Sequence, residues 1–174
     1  MFYDYFETGL IGTLTLAAEE AGLRYIFFPK GRNTLPIGAD WEHRPVFFKE
    51  VKRQLGAYFK GDLKTFDLPL APRGTAFQHQ VWEALRRIPY GEVVSYKAIA
   101  EAIGNVKAVR AVGGANGKNP LPVVVPCHRV IGSSGALTGF GGGLDTKARL
   151  IDLERRHSGK SGRRPEAAPA SLRP

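Results

Sequence analysis

The chemistry in this chain centres on one residue. Cys127 is the only cysteine, and it stands in the run Val125-Pro126-Cys127-His128-Arg129. The thiolate is the reactive form of cysteine, and only a few per cent of a free thiol is ionised near neutral pH. A neighbouring His or Arg raises that fraction, so His128 and Arg129 make a setting that suits a nucleophile. The bland reading is a buried small hydrophobe, the commonest fate of a lone cysteine. Pro126 holds the cysteine at the end of Val123-Val124-Val125, which reads as a short buried strand. Adjacent side chains on a strand point to opposite faces. His128 therefore serves Cys127 only if the chain bends there, or through a water. One cysteine excludes an internal disulfide and a multi-cysteine zinc site. His43, His79 and His157 show no ligand-like spacing, so no metal is expected.

The elements that must position this group fall into two parts. Residues 2–28 alternate apolar and polar positions between turn signals, as a meander of about three strands does. Residues 29–44 read as loop. Phe47, Val51, Leu55, Tyr58 and Phe59 then recur at helical spacing, with Lys49, Lys52 and Arg53 on the other face and Gly61 as the stop. An extended piece over Thr65 to Leu70 leads to a boundary near residue 72. Nothing in residues 1–72 reads as chemistry. The second part opens on the capping-box pattern Thr75-Ala76-Phe77-Gln78, followed by an apolar helical face of Phe77, Val81, Leu85 and Ile88. Glu92-Val93-Val94 is a short extended link. Ser95 caps a helix from Tyr96 to Ile103, Gly104 closes it, and a second short helix follows from about Lys107 to Ala115. Two short helices around a glycine turn make a helix-turn-helix pattern, which alone is a weak signal. A last helix is expected from about Asp145 to Arg156. From Ser158 onward the composition predicts a disordered basic tail over 158–174.

Charge separates the same parts. The 174 residues carry a formal net charge of +9. Residues 1–72 hold nine basic and nine acidic residues, whereas residues 155–174 hold six basic and one acidic. A neutral first part and a basic second part mean that a polyanion would meet only the second. The alternative is a solvated basic surface. No apolar run approaches the ~18 residues of a membrane span, and the acidic N-terminus is unlike a secretory signal. A soluble, intracellular (cytoplasmic) protein in a reducing compartment is expected, with no membrane partner.

The run Val125-Pro126-Cys127-His128-Arg129-Val130-Ile131 resembles the active-site signature of the methylated-DNA–protein-cysteine methyltransferases, the O6-alkylguanine-DNA alkyltransferases. Val81-Trp82, Ile88-Pro89-Tyr90-Gly91-Glu92-Val93, Ser95-Tyr96, Arg110-Ala111-Val112-Gly113, Asn119-Pro120 and Phe140-Gly141-Gly142-Gly143-Leu144 stand in that family's order. The resemblance covers roughly residues 75–154; residues 1–72 match only loosely. It implies an α/β (α+β) protein: a sheet-plus-helix domain over 1–72, then an alkyltransferase domain of winged-helix type over 73–157.

The resemblance further implies direct DNA repair in a single turnover, with no cofactor. An alkyl group on O6 of guanine, or O4 of thymine, in double-stranded DNA moves to Cys127. His128, through a water, and Glu154 would form the relay that deprotonates the thiol, and Asn119 would hold the turn before it. Tyr96 would press on the target phosphate and give a proton to the leaving guanine. Arg110 would fill the hole left by the extruded base, and Ser95 would bind DNA with it. The residue types agree: Ala111, Gly113 and Gly114 make the second helix small enough to lie close to a DNA backbone. Val130, Phe140, Gly141 and Gly142 would line the base pocket. Many relatives carry tyrosine at Phe140 and some carry serine at Gly141, which bears on the range of alkyl groups accepted.

Each residue also has an ordinary reading. Arg110 could contact phosphate or be solvated. Tyr96 could be an amphipathic packing residue and Phe140 a core aromatic. Glu154 is a charge at the unfavourable end of a helix. Other functions remain. An alkyltransferase-like lesion sensor lacks the cysteine. A winged-helix regulator would leave alkylated DNA unchanged, and a cysteine hydrolase would turn over repeatedly. A monomer is expected.

Overall fold

The computed structural model describes residues 1–30, 37–159 and 172. The opening meander is as expected: β1 (Phe2–Glu7), β2 (Thr13–Glu19) and β3 (Gly22–Phe27) pair antiparallel. A fourth strand, β4 (Glu42–His43), lies within the segment read as loop and pairs parallel to β1, giving the order β3-β2-β1-β4. Leu14, Leu16 and Ile26 face inward and are fully buried, as period-2 alternation requires. A 3-10 turn over Pro45–Phe48 leads into α1 (Lys49–Lys60), which ends on Gly61 in the left-handed conformation. The piece expected to be extended over Thr65 to Leu70 makes only one bridge, Leu70 to Leu23.

The second part starts with α2 (Ala76–Arg86). Both halves of its capping box form, Thr75 accepting from the Gln78 amide while Gln78 accepts from the Thr75 amide. Next come β5 (Val94–Ser95), α3 (Tyr96–Ala102), capped by the Ser95 hydroxyl, and α4 (Val109–Gly117). The pair α3–α4 is the helix-turn-helix, with α4 displaced by two residues from its expected span. A strand β6 (Val130–Ile131) pairs parallel with β5, and α5 (Leu144–His157) closes the fold.

The stretch Val123–Val125 is not a strand. Val123 has φ 75°, a conformation strained for a β-branched residue, and Cys127–Arg129 is a 3-10 turn. A network from Asn119 holds this path: its Oδ1 accepts from the Leu121 amide at 3.0 Å and its Nδ2 donates to the Val125 carbonyl at 2.8 Å. The two halves share one continuous apolar core. Most of the expected tail lies outside the described residues, but Leu172 is buried in that core. Among the described residues, no helix is long and apolar enough to cross a membrane.

Candidate active site

The 3-10 turn decides how the thiol and imidazole are presented. With about three residues per turn, neighbouring side chains diverge by roughly a third of a turn. Cys127 and His128 therefore face different partners, and both are buried. The thiol is not ionised by its setting, contrary to the expectation from its basic neighbours. Burial pushes it up to about 11, while the Asn119 side chain and the Lys147 charge pull the other way.

His128 turns its Nε2 to Glu154 Oε1 at 2.7 Å, and its buried Nδ1 has no partner among the described residues. The Nε2 hydrogen therefore points at the carboxylate and leaves a lone pair on Nδ1. Burial depresses the basicity of His128; the charge of Glu154 opposes that. Arg129 does not reach toward the thiol as its place in sequence suggested. It donates to Glu154 from Nε at 2.8 Å and Nη2 at 2.9 Å, and to the Ile88 carbonyl from Nη1 at 2.6 Å. The Gly91 amide donates to Glu154 Oε2 at 3.0 Å. Gly91 has φ 79°, and a side chain there would run into Ser158. Burial alone would raise Glu154, but its His128 and Arg129 partners hold it well below the usual carboxylate range.

Two residues that sequence reasoning passed over belong to this group. Tyr58, from the half expected to carry no chemistry, donates its hydroxyl to Glu154 Oε1 at 2.7 Å. Lys147 is fully buried, donates to the Thr138 carbonyl at 2.9 Å, and is lowered to about 8, chiefly by burial. A signal for Lys147 was present: Lys147, Leu150, Ile151 and Glu154 share one face of α5 at helical spacing. Two charges on an apolar stripe are seldom fully buried without a partner or a task. Tyr58 had no such signal, because its spacing on α1 is that of an ordinary core residue.

The other expected residues lie on β5, α3, α4, β6 and the loop before α5. Thr138 Oγ1 donates to the Tyr96 hydroxyl at 3.1 Å, and the Lys147 ammonium lies 6.0 Å from the Tyr96 ring centre. Val130 is fully buried beside the turn, and Phe140 is half-buried with its ring 5.4 Å from that of Phe28. Gly141 is half-buried, and a side chain at Gly142 would meet the Phe28 ring at 2.7 Å, so the first half also shapes this loop. Arg110, Ala111 and Gly114 lie exposed on α4, and Gly113 faces the Tyr96 ring. Ser95 is occupied as the α3 cap. A separate cavity of about 410 Å³ lies behind the turn, lined by Lys64, Arg86, Tyr90, Pro126 and Arg129 among others; it does not include Cys127, Val130 or Phe140. Among the described residues, no group of three His, Cys, Asp or Glu side chains could hold a metal ion.

A helix-turn-helix followed by a turn that holds a buried thiol, with a His–Glu pair behind it, fits a DNA-binding protein with a nucleophile of its own. Comparison with known proteins agrees. Residues 1–72 match the family model "6-O-methylguanine DNA methyltransferase, ribonuclease-like domain", and residues 76–156 match its DNA binding domain. The methylated-DNA–protein-cysteine methyltransferase of Methanosarcina acetivorans is 53% identical over 154 residues, covering 88% of this chain and 98% of that one. The constitutive enzyme of Bacillus subtilis is 47% identical over 163 residues, covering 88% and 95%. A crystal structure of Mycobacterium tuberculosis OGT in complex with DNA superposes with a TM-score of 0.83 at 44% identity, covering 99% of this chain and 98% of that one. The chain belongs to the 6-O-methylguanine DNA methyltransferase family.

Proposed function

We propose that this protein repairs alkylated DNA directly, by moving the alkyl group from O6 of guanine, or O4 of thymine, to the sulfur of Cys127. The observation that carries this reading is the buried thiol set one residue from an imidazole whose far nitrogen is fixed on Glu154. His128 Nδ1 takes the thiol proton through a bridging water. The sulfur electron pair attacks the alkyl carbon, an S–C bond forms, and the C–O6 bond breaks with its electrons passing to the guanine. Tyr96 gives the proton that leaves guanine neutral, and the proton on His128 returns to the phenolate by way of solvent. The net exchange is one S–H and one C–O bond for one S–C bond and one N–H bond on the neutral base. A thioether is a poor leaving group, so each molecule acts once.

The target atom lies inside a base stack, so the base must be extruded, at a cost of a few kcal/mol. Arg110 is the long exposed cation on α4, held by no ion pair among the described residues, and it takes the vacated place in the stack. The Phe140 to Gly142 loop and the Val130 backbone receive the base. Asn119 braces the turn that presents the thiol. The relay comes from one chain, which supports a monomer, and a lone reduced cysteine supports an intracellular location. A winged-helix regulator with a structural cysteine would have no use for an imidazole–carboxylate pair behind it.

Intact-protein mass spectrometry after incubation with duplex DNA containing O6-methylguanine tests the reading. The parent should gain one methyl group, mapped to Cys127, while Cys127→Ser stays folded, binds DNA and gains none. Methyl transfer by the serine variant at a comparable rate would remove Cys127 from its role.

A further inference from the structure

We infer that Tyr58, on α1 of the first half, is a positioning residue of the relay: its hydroxyl sets how strongly Glu154 holds His128. The inference rests on Cys127 being the alkyl acceptor and concerns how its proton is removed. Tyr58 is fully buried, and its hydroxyl lies 2.7 Å from Glu154 Oε1, the same oxygen that accepts from His128 Nε2 at 2.7 Å. It lies 3.4 Å from His128 Nε2, so its short contact is with the carboxylate. Burial and the charge of Glu154 raise its phenol well above the ordinary range, so the hydroxyl stays protonated and acts as a donor.

Tyr58 and His128 share one carboxylate oxygen, to which Arg129 Nη2 also donates. Each bond that Oε1 accepts from Tyr58 draws off charge that would otherwise stabilise imidazolium on His128. Tyr58 thereby keeps His128 a weaker base in the resting protein, neutral and ready to accept a proton. The charged and titratable groups around this point are Glu154 and Lys147 from α5, Arg129 and Cys127 from the 3-10 turn, Tyr58 from α1 and Tyr90 from the loop after α2. Arg129 and the Gly91 amide also donate to the carboxylate, but they are fixed by residues next to the site. Tyr58 differs in coming from the other half, 96 residues away in the chain. Its ring is set by Phe66 at 5.4 Å and Tyr90 at 6.0 Å, so the docking of α1 fixes where the hydroxyl falls. The first half thus contributes a polar group to the reaction centre as well as apolar packing.

Tyr58→Phe keeps the ring and removes the donor. Single-turnover methyl transfer is followed against pH at saturating duplex, and the imidazole resonances of the four histidines are titrated by NMR. The acid limb of the rate profile should move up by about one pH unit, giving about a tenfold slower reaction below it and near parity above it. The His128 resonance should move in the same direction. Leu55→Val, a packing change on the same buried helix face, should lower stability and leave both positions alone. If the phenylalanine variant does not fold, 3-fluorotyrosine at position 58, a stronger donor, decides: it should move the limb down. An unmoved limb and resonance in a parent that does methylate Cys127 would overturn the inference, as would an equal shift in Leu55→Val. No methyl gain by the parent would instead overturn the proposed function itself.

Discussion

Replacing Lys147 by methionine should stabilise the protein at neutral pH and slow its reaction. Lys147 is fully buried, and burial lowers it from 10.5 to about 8. A lysine whose folded value lies below its unfolded value is a charge that the fold tolerates at a cost. Between pH 8 and 10.5 the unfolded chain binds the extra proton, so stability rises with pH across that window. Below pH 8 the cost is fully present, about 3 kcal/mol. Methionine keeps most of the stem and sheds the charge. It also loses the bond to the Thr138 carbonyl, but Thr138 is exposed and water replaces the donor, so the offset is about 1 kcal/mol. A net gain of ~2 kcal/mol raises Tm by about 4–8 °C in a chain of this size. Thermal unfolding of parent and Lys147→Met at pH 7 and at pH 10 measures it: the gap should be wide at the first and narrow at the second. A variant less stable than the parent at pH 7, or a gap that ignores pH, would refute the argument. Methyl transfer should slow in the same variant, because the ammonium opposes the upward push of burial on the thiol.

Glu154→Gln should lose about 3–5 kcal/mol, since it leaves Arg129 buried without its carboxylate, and methyl transfer should fall with it; calorimetry and single-turnover kinetics measure the two losses. Because Glu154 is depressed in the folded state, its contribution is complete above the ordinary carboxylate range and lost as pH falls, so the parent's stability should drop on acidification and that of Glu154→Gln less steeply. Arg110→Ala should slow repair of saturating duplex by about 10–100-fold, equivalent to roughly 1.4–3 kcal/mol, yet react with free O6-benzylguanine at nearly the parent rate; equal slowing on both substrates would remove Arg110 from base extrusion.

Local rules carried the helix signals well and failed where distant residues decide. Thr75, Gln78 and Ser95 act through neighbours three residues away, so their caps were legible in the sequence and form as expected. The cysteine turn was not. Three valines in a row read as strand, yet Asn119 bends the path and holds Val123 at positive φ, a choice made by buried hydrogen bonds that span six residues. That bend also changes the chemistry: a strand would have split Cys127 and His128 across two faces, whereas the 3-10 turn buries both against α5. Arg129 looked like a partner of the thiol because it is near in sequence; in space it serves Glu154. Tyr58 was hidden for the opposite reason, since a phenol at a core position of α1 shows its function only when α5 is laid against it.

The resting state of the thiol follows from this arrangement. With its value pushed up to about 11 by burial, Cys127 rests as the neutral thiol at pH 7. A lowered value, the usual mark of a reactive cysteine, would expose a single-use nucleophile to every soluble electrophile and oxidant. Here the side chains that could ionise it are present but individually weakened: His128 is made less basic by burial, Glu154 is saturated with donors, and Lys147 is brought close to losing its charge. In the reaction we propose, proton removal becomes favourable only when the transition state places developing negative charge on the departing guanine, where a proton from Tyr96 would meet it. Selectivity in such a site lies in making the nucleophile depend on the leaving group, and that dependence requires the thiol, imidazole and carboxylate to be buried together.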